Sequence, residues 1–564
     1  MQRRPLAFAV AFALVAGTVI VPGVGAAGRP TCLVSNERTH LGSTTLQAGI
    51  DAARAGDTLI VKGTCVGSGL DPYQNANFTI DRDLTLEGVS NKAFGQATLD
   101  GGLSGAVLWV RPHLTVTLIG LTITNGFTVN GSFGGLFNEG SAVALIDTTV
   151  TGNRAWNAAG IGNYFYGTMT LTNSTVSGNT AMYGGGGIYN AGTMSLTNST
   201  VSGNTSLNSG GGGILNVRSL TLTSSTISDN TAKLGGGILN AGSEYGLGVL
   251  TVTSSTVGDN TANGAGGGIY NAGTAAITDS RVSDNTAFTG GGIVNVRGYL
   301  ADPATLAVTG STVSGNTATG SGGGIANGAV LGEASIVTLT DSALAGNATP
   351  HNGGGIYNRG TLAIEGSTVS LNVANLGGGI SNDGVLTFAA RPTTIGANAA
   401  NSEGGGIWNG RGTVAGGCPA PDGNVNYDPP NTPTNYVGFT CPMPVPKLAT
   451  SGTFDFKGSD GNLCTYYKLA VTNWADYTPD LFTPAPDLPS CGSNTNSSRT
   501  WVWIHRASDS SRMYGYCAFE KPSDLTQMGF AMLQGTPPPA GMYVTLTDRR
   551  TNQIVTSNTV SFAP

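Results

Sequence analysis

Three aspartates stand at like places in the chain: Asp229, Asp259 and Asp284, each followed at once by an asparagine. Carboxylates stacked one strand spacing apart, about 4.8 Å, come close to the separation of the acid pair in a retaining glycosidase. The same trio offers oxygen ligands to a cation such as calcium. Yet the equivalent place is held elsewhere by Gly178, Gly203, Gly315 and Gly346. Glycine and aspartate exchange where the backbone is left-handed, so the spacing reads first as a turn and second as a catalytic or cation site. Arg218 and Arg297 follow matching phrases three repeats apart. That is about 14 Å at this rise, too far to act on one bond, and they read as a solvated surface pair. His351 stands alone at a glycine turn and reads as a loop residue. No Ser-His-Asp or Cys-His arrangement is indicated. The calcium-binding Gly-Gly-x-Gly-x-Asp repeat is missing, and neither a metal nor a cofactor is implied.

Binding chemistry finds better material. A phrase Gly-Gly-Gly-Ile recurs with isoleucine at 188, 214, 238, 269, 293, 325, 356, 380 and 407. The next residue should face away from the core if the isoleucine faces in. That file reads Phe137, Gly162, Tyr189, Leu215, Leu239, Tyr270, Val294, Ala326, Tyr357, Ser381, Trp408. Five of these are aromatic, and Tyr189, Tyr270, Tyr357 and Trp408 are the candidates to offer faces to sugar rings or to a protein partner.

These residues need a scaffold, and the repeat supplies it. The isoleucine phrase returns at steps of 24 to 32 residues. A second phrase, Ser-Thr-Val-Ser-Gly-Asn, keeps the same period and places Asn179, Asn204, Asn230, Asn260, Asn285 and Asn316. A fixed period in this range signals a solenoid. Between the phrases, apolar residues alternate: Met169, Leu171 and Val176 recur as Met194, Leu196 and Val201. Period two means strand with one buried face, and Thr and Ser suit the other. Three short strands per coil, over about eleven coils, predict an all-β, right-handed parallel β-helix. Equivalent residues then stack on themselves. The isoleucines form an inward file and the asparagines a hydrogen-bonded ladder that satisfies the turns. A short helix at about 45–54, around Leu46 and Ile50, would cover the open first edge.

The Gly-Gly-Gly-Ile and Val-x-x-Asn pairs resemble the repeats of the polymorphic outer-membrane protein family, written there Gly-Gly-Ala-Ile and Phe-x-x-Asn. Residues 45–410 are also similar to pectate-lyase-like β-helix proteins. The resemblance covers roughly two thirds of the chain and implies the fold. It further implies surface adhesion on the first likeness and polysaccharide cleavage on the second. Val replaces Phe in most repeats, and the chain ends in Ser-Phe-Ala-Pro without a barrel-length set of amphipathic strands.

Composition agrees with an extracellular solenoid. Glycine is 88 of 564 residues and charged residues are 10%, against about a quarter charged in ordinary soluble proteins. The net charge of −6, with no basic stripe, argues against nucleic acid. Arg3 and Arg4 precede an apolar run from Leu6 to Val21 and a small-residue cleavage site, the order of a signal peptide over 1–27. No later stretch is long and apolar enough to span a bilayer. The seven cysteines avoid the repeats and fit an oxidising compartment. Cys32 is expected to pair with Cys65, and Cys418 with Cys441. Cys464, Cys491 and Cys517 leave one over.

Residues 28–410 thus read as the β-helix, 411–450 as a Pro/Gly/Asn-rich linker or cap, and 451–564 as a small β-sandwich of fibronectin or immunoglobulin type. The strands Thr500–His505 and Met542–Thr547 and a hairpin to Ile554–Thr556 carry that last expectation. The functional expectation is a secreted or surface-associated adhesion platform for polysaccharide or a cell-surface glycan, or for a protein partner. A polysaccharide lyase or glycoside hydrolase is the alternative, and a stalk presenting the C-terminal module is a third.

Overall fold

The computed structural model describes residues 31–562 apart from 68–75, 129–132, 243–247, 299–302, 329–334, 419–424, 428, 440–442, 478, 483, 486–487, 489–496 and 551. The stretch 1–27, expected as a signal peptide, lies outside the described residues, as do Cys441 and Cys491.

The chain is all-β: a parallel β-solenoid of about thirteen coils, followed by an antiparallel sheet region. The irregular strands before the clear repeats add coils at the first end, since Leu84–Gly88 already stacks in parallel on Asp57–Val66. One regular coil shows how the sequence folds. Thr168–Thr172 and Thr175–Ser177 are two strands broken by a corner at Asn173. Ile188–Asn190 is a third. Thr180–Ala181 is a fourth strand, beyond the three expected, and its Ala181 is small enough to be buried against Ala155 and Ala159. Each strand pairs in parallel with its counterpart one coil on, so that Met169 lies opposite Met194, Val176 opposite Val201 and Ile188 opposite Ile214.

Register does the rest. The inward Ile, Val, Leu and Met files merge into one continuous core from Cys32 to Tyr427. Each fully buried isoleucine contributes about 2–3 kcal/mol. The polar files are equally regular. The Asn179 amide donates to Asn204 Oδ1 at 3.0 Å and to the Val150 carbonyl at 3.0 Å, and the Asn179 backbone N–H donates to the same Oδ1. The pattern continues through Asn230, Asn260, Asn285 and Asn316, each fully buried. A second ladder, not read from the sequence, runs through Asn163, Asn190, Asn216 and Asn240 at 2.8 Å per step. A third is built of serines, each backbone N–H donating to the next hydroxyl, as from Ser174 to Ser199 and from Ser199 to Ser225 at 3.1 Å.

Glycine is required where coils touch. A Cβ on Gly213 would stand 2.7 Å from the Gly237 carbonyl and 2.9 Å from Asn230 Nδ2. The first end is closed by the helix Leu46–Ala52, which buries Leu46 and Ile50, and by Cys32–Asn36, antiparallel to Asp57–Val66 and tied by the Cys32–Cys65 disulfide. At the other end Tyr436 and Phe439 pack against the core.

In the C-terminal region the sheet Leu448–Lys457, Leu463–Val471, Met528–Leu533 and the sheet Arg512–Tyr516, Thr500–Arg506, Met542–Asp548, Gln553–Thr556 share one core. Cys418 and Cys517 are each disulfide-bonded, and Cys464 is free.

Two expectations follow for stability. Asn230→Ala removes the acceptor of one Asn204 amide N–H and of the Asn204 backbone N–H, and the donor to the Val201 carbonyl, and lowers unfolding free energy by about 3 kcal/mol; denaturant melts matching the parent would show that the ladder adds no stability. Asp57 is hydrogen-bonded by Arg38, by the Arg54 backbone N–H and by Asn36, which hold its carboxyl far below the usual carboxylate range. A depressed folded pKa gives stability that is present above the unfolded pKa, about 4, and is lost as pH falls through the folded value. The unfolding-temperature gap between the parent and Asp57→Asn therefore narrows as pH falls below about 4; a constant gap would contradict the linkage.

Candidate binding site

The three aspartates fall where the turn reading puts them. Asp229, Asp259 and Asp284 have φ of 58°, 58° and 60°, and all are exposed. Asp259 and Asp284 close corners, donating their backbone N–H to the Ser283 and Ser314 carbonyls. Asp284 pairs with Arg281 at 3.5 Å. Among the described residues no three His, Cys, Asp or Glu side chains gather as a metal site. His351 is an exposed loop residue whose carbonyl accepts the Asn375 N–H at 2.7 Å. Arg218 departs from the solvated pair expected, because its guanidinium lies 4.0 Å from the Tyr166 ring centroid.

The file after the isoleucines is not the open surface expected of it. Phe137, Leu239, Val294, Ala326 and Ser381 are buried, while Tyr189, Tyr270, Tyr357 and Trp408 are half-buried. The reason is the glycine run, which folds the preceding arm back over this face. A Cβ on left-handed Gly290 would meet Val294 Cγ2 at 2.4 Å. Ala265, Val294, Val296 and Ala326 form a small cluster under that arm, with Tyr270 against it. Burial raises the pKa of the Tyr189, Tyr270 and Tyr357 hydroxyls, so they are neutral donors at physiological pH. The Tyr357 hydroxyl donates to Asp383 at 3.4 Å. Tyr270 lies three coils beyond Tyr189, Tyr357 three beyond Tyr270, and Trp408 two beyond Tyr357. The four do not converge on one site.

Aromatic residues do converge over the coils between Trp109 and Tyr189. Tyr164 stacks on Tyr189 with centroids 4.7 Å apart and packs edge-on to Phe137 and Phe133. Trp109 joins through Phe137 at 6.3 Å, and its indole N–H donates to Glu139. The absence of a side chain at Gly162 makes room, since a Cβ there would meet both Phe133 and Tyr164 at 3.1 Å. Exposed rings lie on the same coils, and Phe165 adjoins the buried layer through Tyr164 at 6.2 Å. Phe165 and Tyr166 are 65% and 67% exposed. Trp156 and Tyr183, on adjacent coils, lie 5.0 Å apart and are each about two-fifths exposed.

The backbone beneath Phe165 and Tyr166 is strained. Both have left-handed φ, 49° and 65°, in a turn closed by the Gly167 N–H to the Tyr164 carbonyl at 2.9 Å. Such a turn favours Asn-Gly, and a bulky residue there costs about 1–3 kcal/mol. The strain comes with an insertion. Asn163 is followed by Tyr-Phe-Tyr-Gly before the next strand, where Asn190 is followed only by Ala-Gly. That excess of two residues was a legible signal for these rings, and counting turn lengths would have found it. Nothing as plain marks Trp156 and Tyr183, which lie on an arm of variable length.

Comparison of the chain with protein-family models, with curated proteins and with solved structures finds no match. The likeness to outer-membrane repeats and pectate-lyase-like proteins therefore stands on the repeat phrases alone.

The strain has a measurable consequence. Phe165→Asn with Tyr166→Gly removes two unfavourable φ values, about 1–3 kcal/mol each, against an exposed cation–π contact of about 0.5–1 kcal/mol. Thermal unfolding of the double variant is expected above that of the parent. A lower midpoint would show that the ring contacts outweigh the strain.

Proposed function

We propose that the chain is an exported glycan-binding platform, with the aromatic ridge on its first coils as the contact surface. The observation that carries this reading is the pairing of exposed rings with a strained, inserted turn. A folding-neutral corner would use the Ala-Gly found at Asn190; this one spends stability to hold Phe165 and Tyr166 in solvent. Trp156 and Tyr183 extend the rings onto the adjoining arm. Aromatic faces suit the C–H faces of sugars, and the Thr and Ser of neighbouring strands supply hydroxyl partners. The N-terminal leader pattern and the disulfide at the first cap support export. Among the described residues no helix is long and apolar enough to cross a membrane.

The test uses purified protein against plant, algal and bacterial polysaccharides, scoring retention and new chain ends in the same tubes. Retention by at least one neutral polysaccharide is expected, with no new ends. It should fall about tenfold in Trp156→Ala/Tyr183→Ala, two stacking contacts at roughly 0.5–1.5 kcal/mol each, and less in Tyr357→Ala, which lies six coils away from Tyr189. New chain ends that vanish in Asp229→Asn/Asp259→Asn/Asp284→Asn would replace this reading with an enzyme.

A further inference from the structure

The three-stranded sheet of the C-terminal region ends in an open strand. Leu448–Lys457 pairs with Leu463–Val471 on one side only, and every residue from Thr450 to Asp455 is exposed. The hydrogen-bonding groups of such a strand alternate between its paired side and its open side. The hairpin turn sets the parity, because the Gly458 N–H donates to the Asn462 carbonyl at 2.8 Å. Phe454 and Phe456 therefore bond to the sheet, while Thr453, Asp455 and Lys457 turn their N–H and C=O groups to the open side. The next strand agrees, since the Leu463 carbonyl accepts the Gln534 N–H on its far side at 2.9 Å. At the base of the strand the open side is covered. The Leu448 N–H donates to Asn558 Oδ1 at 2.7 Å, and the Leu448 carbonyl accepts from Asn558 Nδ2 at 2.9 Å. Among the described residues nothing bonds to the open-side groups of Thr453, Asp455 and Lys457.

An edge of this kind is a template for another strand, and its side chains specify which. When the strand pairs with itself antiparallel, open-side residues must meet open-side residues, so the two-fold axis passes through a residue. An axis at Asp455 sets like charges opposite each other, which destabilises. An axis at Thr453 or Phe454 carries the pairing into the bulge between Thr450 and Gly452. An axis at Phe456 sets Asp455 opposite Lys457 on both sides of the axis, and Phe456 opposite Phe456. Opposite charges facing each other across strands stabilise the pair. The Asp455 carboxylate is held ready by the Thr465 hydroxyl at 2.6 Å and the Gln534 amide at 3.0 Å. Lys457 has no carboxylate partner among the described residues. On the other face Phe454 packs on Tyr466 with centroids 5.2 Å apart, and Lys468 Nζ lies 5.0 Å from its ring. Phe456, 6.1 Å from Phe454, is left as the ring at the axis.

We propose that this edge binds a second copy of the chain, antiparallel, with Phe456 on the two-fold axis, so that two three-stranded sheets become one continuous sheet. The contact is isologous. Each Asp455–Lys457 pair exchanges both of its backbone hydrogen bonds as well as its charges. The contact is small, so the pairing is weak and reversible. It nevertheless sets two solenoids in one assembly, and joined weak sites hold a repetitive polymer more tightly than either alone. That consequence rests on the glycan reading above; the pairing itself does not.

The test traps the register in the full chain. Phe456→Cys is made together with Cys464→Ser, because Phe456 lies opposite Cys464 and a bond within the chain must be prevented. Across the axis the two Cα atoms stand about 4.5 Å apart, within disulfide reach, and mild oxidation is expected to give cross-linked dimer. Phe454→Cys in the same background sets its thiols four residues out of register, about 13 Å, and should give at least tenfold less. Sedimentation over a concentration series should show the parent self-associating, the association lost in Asp455→Lys and restored in Asp455→Lys/Lys457→Asp. Trp156→Ala/Tyr183→Ala should leave trapping unchanged, so failure here and failure of the ridge are separable. Dimer trapped as well at 454 as at 456, or no trapped dimer from folded Phe456→Cys/Cys464→Ser, would overturn the proposal.

Discussion

Stacking one coil on the next at a single strand spacing is the constraint on which everything else in the solenoid depends. Inward apolar residues alone would not enforce it, since hydrophobic burial is non-directional. The asparagine and serine ladders do. Each Asn Oδ1 takes two donors from the previous coil, one side-chain and one backbone. A slip of one residue would orphan buried amides at about 1–3 kcal/mol apiece, against a partner-for-partner match when in register. The amides also point the same way along the stack, so neighbouring dipoles reinforce one another.

That constraint explains where the chain is free to vary. The Thr-Val-Ser corner is closed on one side by the serine file and on the other by the inner asparagines, and it keeps its length from coil to coil. The connection after each Ile-x-Asn strand is held at its ends, where the asparagine amide reaches the carbonyl before the next strand, as from Asn163 to Gly167 at 2.9 Å and from Asn240 to Gly248 at 3.1 Å. The longer steps of the repeat arise there, as between Asn240 and Val249 or Asn327 and Ser335. The insertion that displays Phe165 and Tyr166 sits at this same connection.

Periodicity made the strands, the inward files and the inner asparagine ladder readable, because each is a local pattern multiplied by many coils. The second ladder was equally periodic, in Ile-x-Asn, but an asparagine next to a glycine turn looks like turn preference until both files are seen to stack. Alternation predicted that the residue after isoleucine faces outward, which it does relative to the core. It could not show that the glycine run returns the chain over that face, because a reversal at Gly235 or Gly290 depends on backbone packing with the next coil rather than on any side-chain pattern. The aromatic layer was missed for a related reason. Phe133, Phe137, Tyr164 and Tyr189 come from three coils, and only the stack brings them together.

Aromatic rings reach solvent by two physical routes, and the difference bears on what each can hold. On the solenoid, rings stack on rings, and the strained turn leaves Phe165 and Tyr166 exposed, with Arg218 over one face of Tyr166. On the C-terminal sheet, Gly515 lets Trp503 lie flat and Arg512 covers it, without a left-handed residue in either Thr500–Arg506 or Arg512–Tyr516. An uncovered ring meets an apolar sugar face. A covered ring presents the edge of the cation above it.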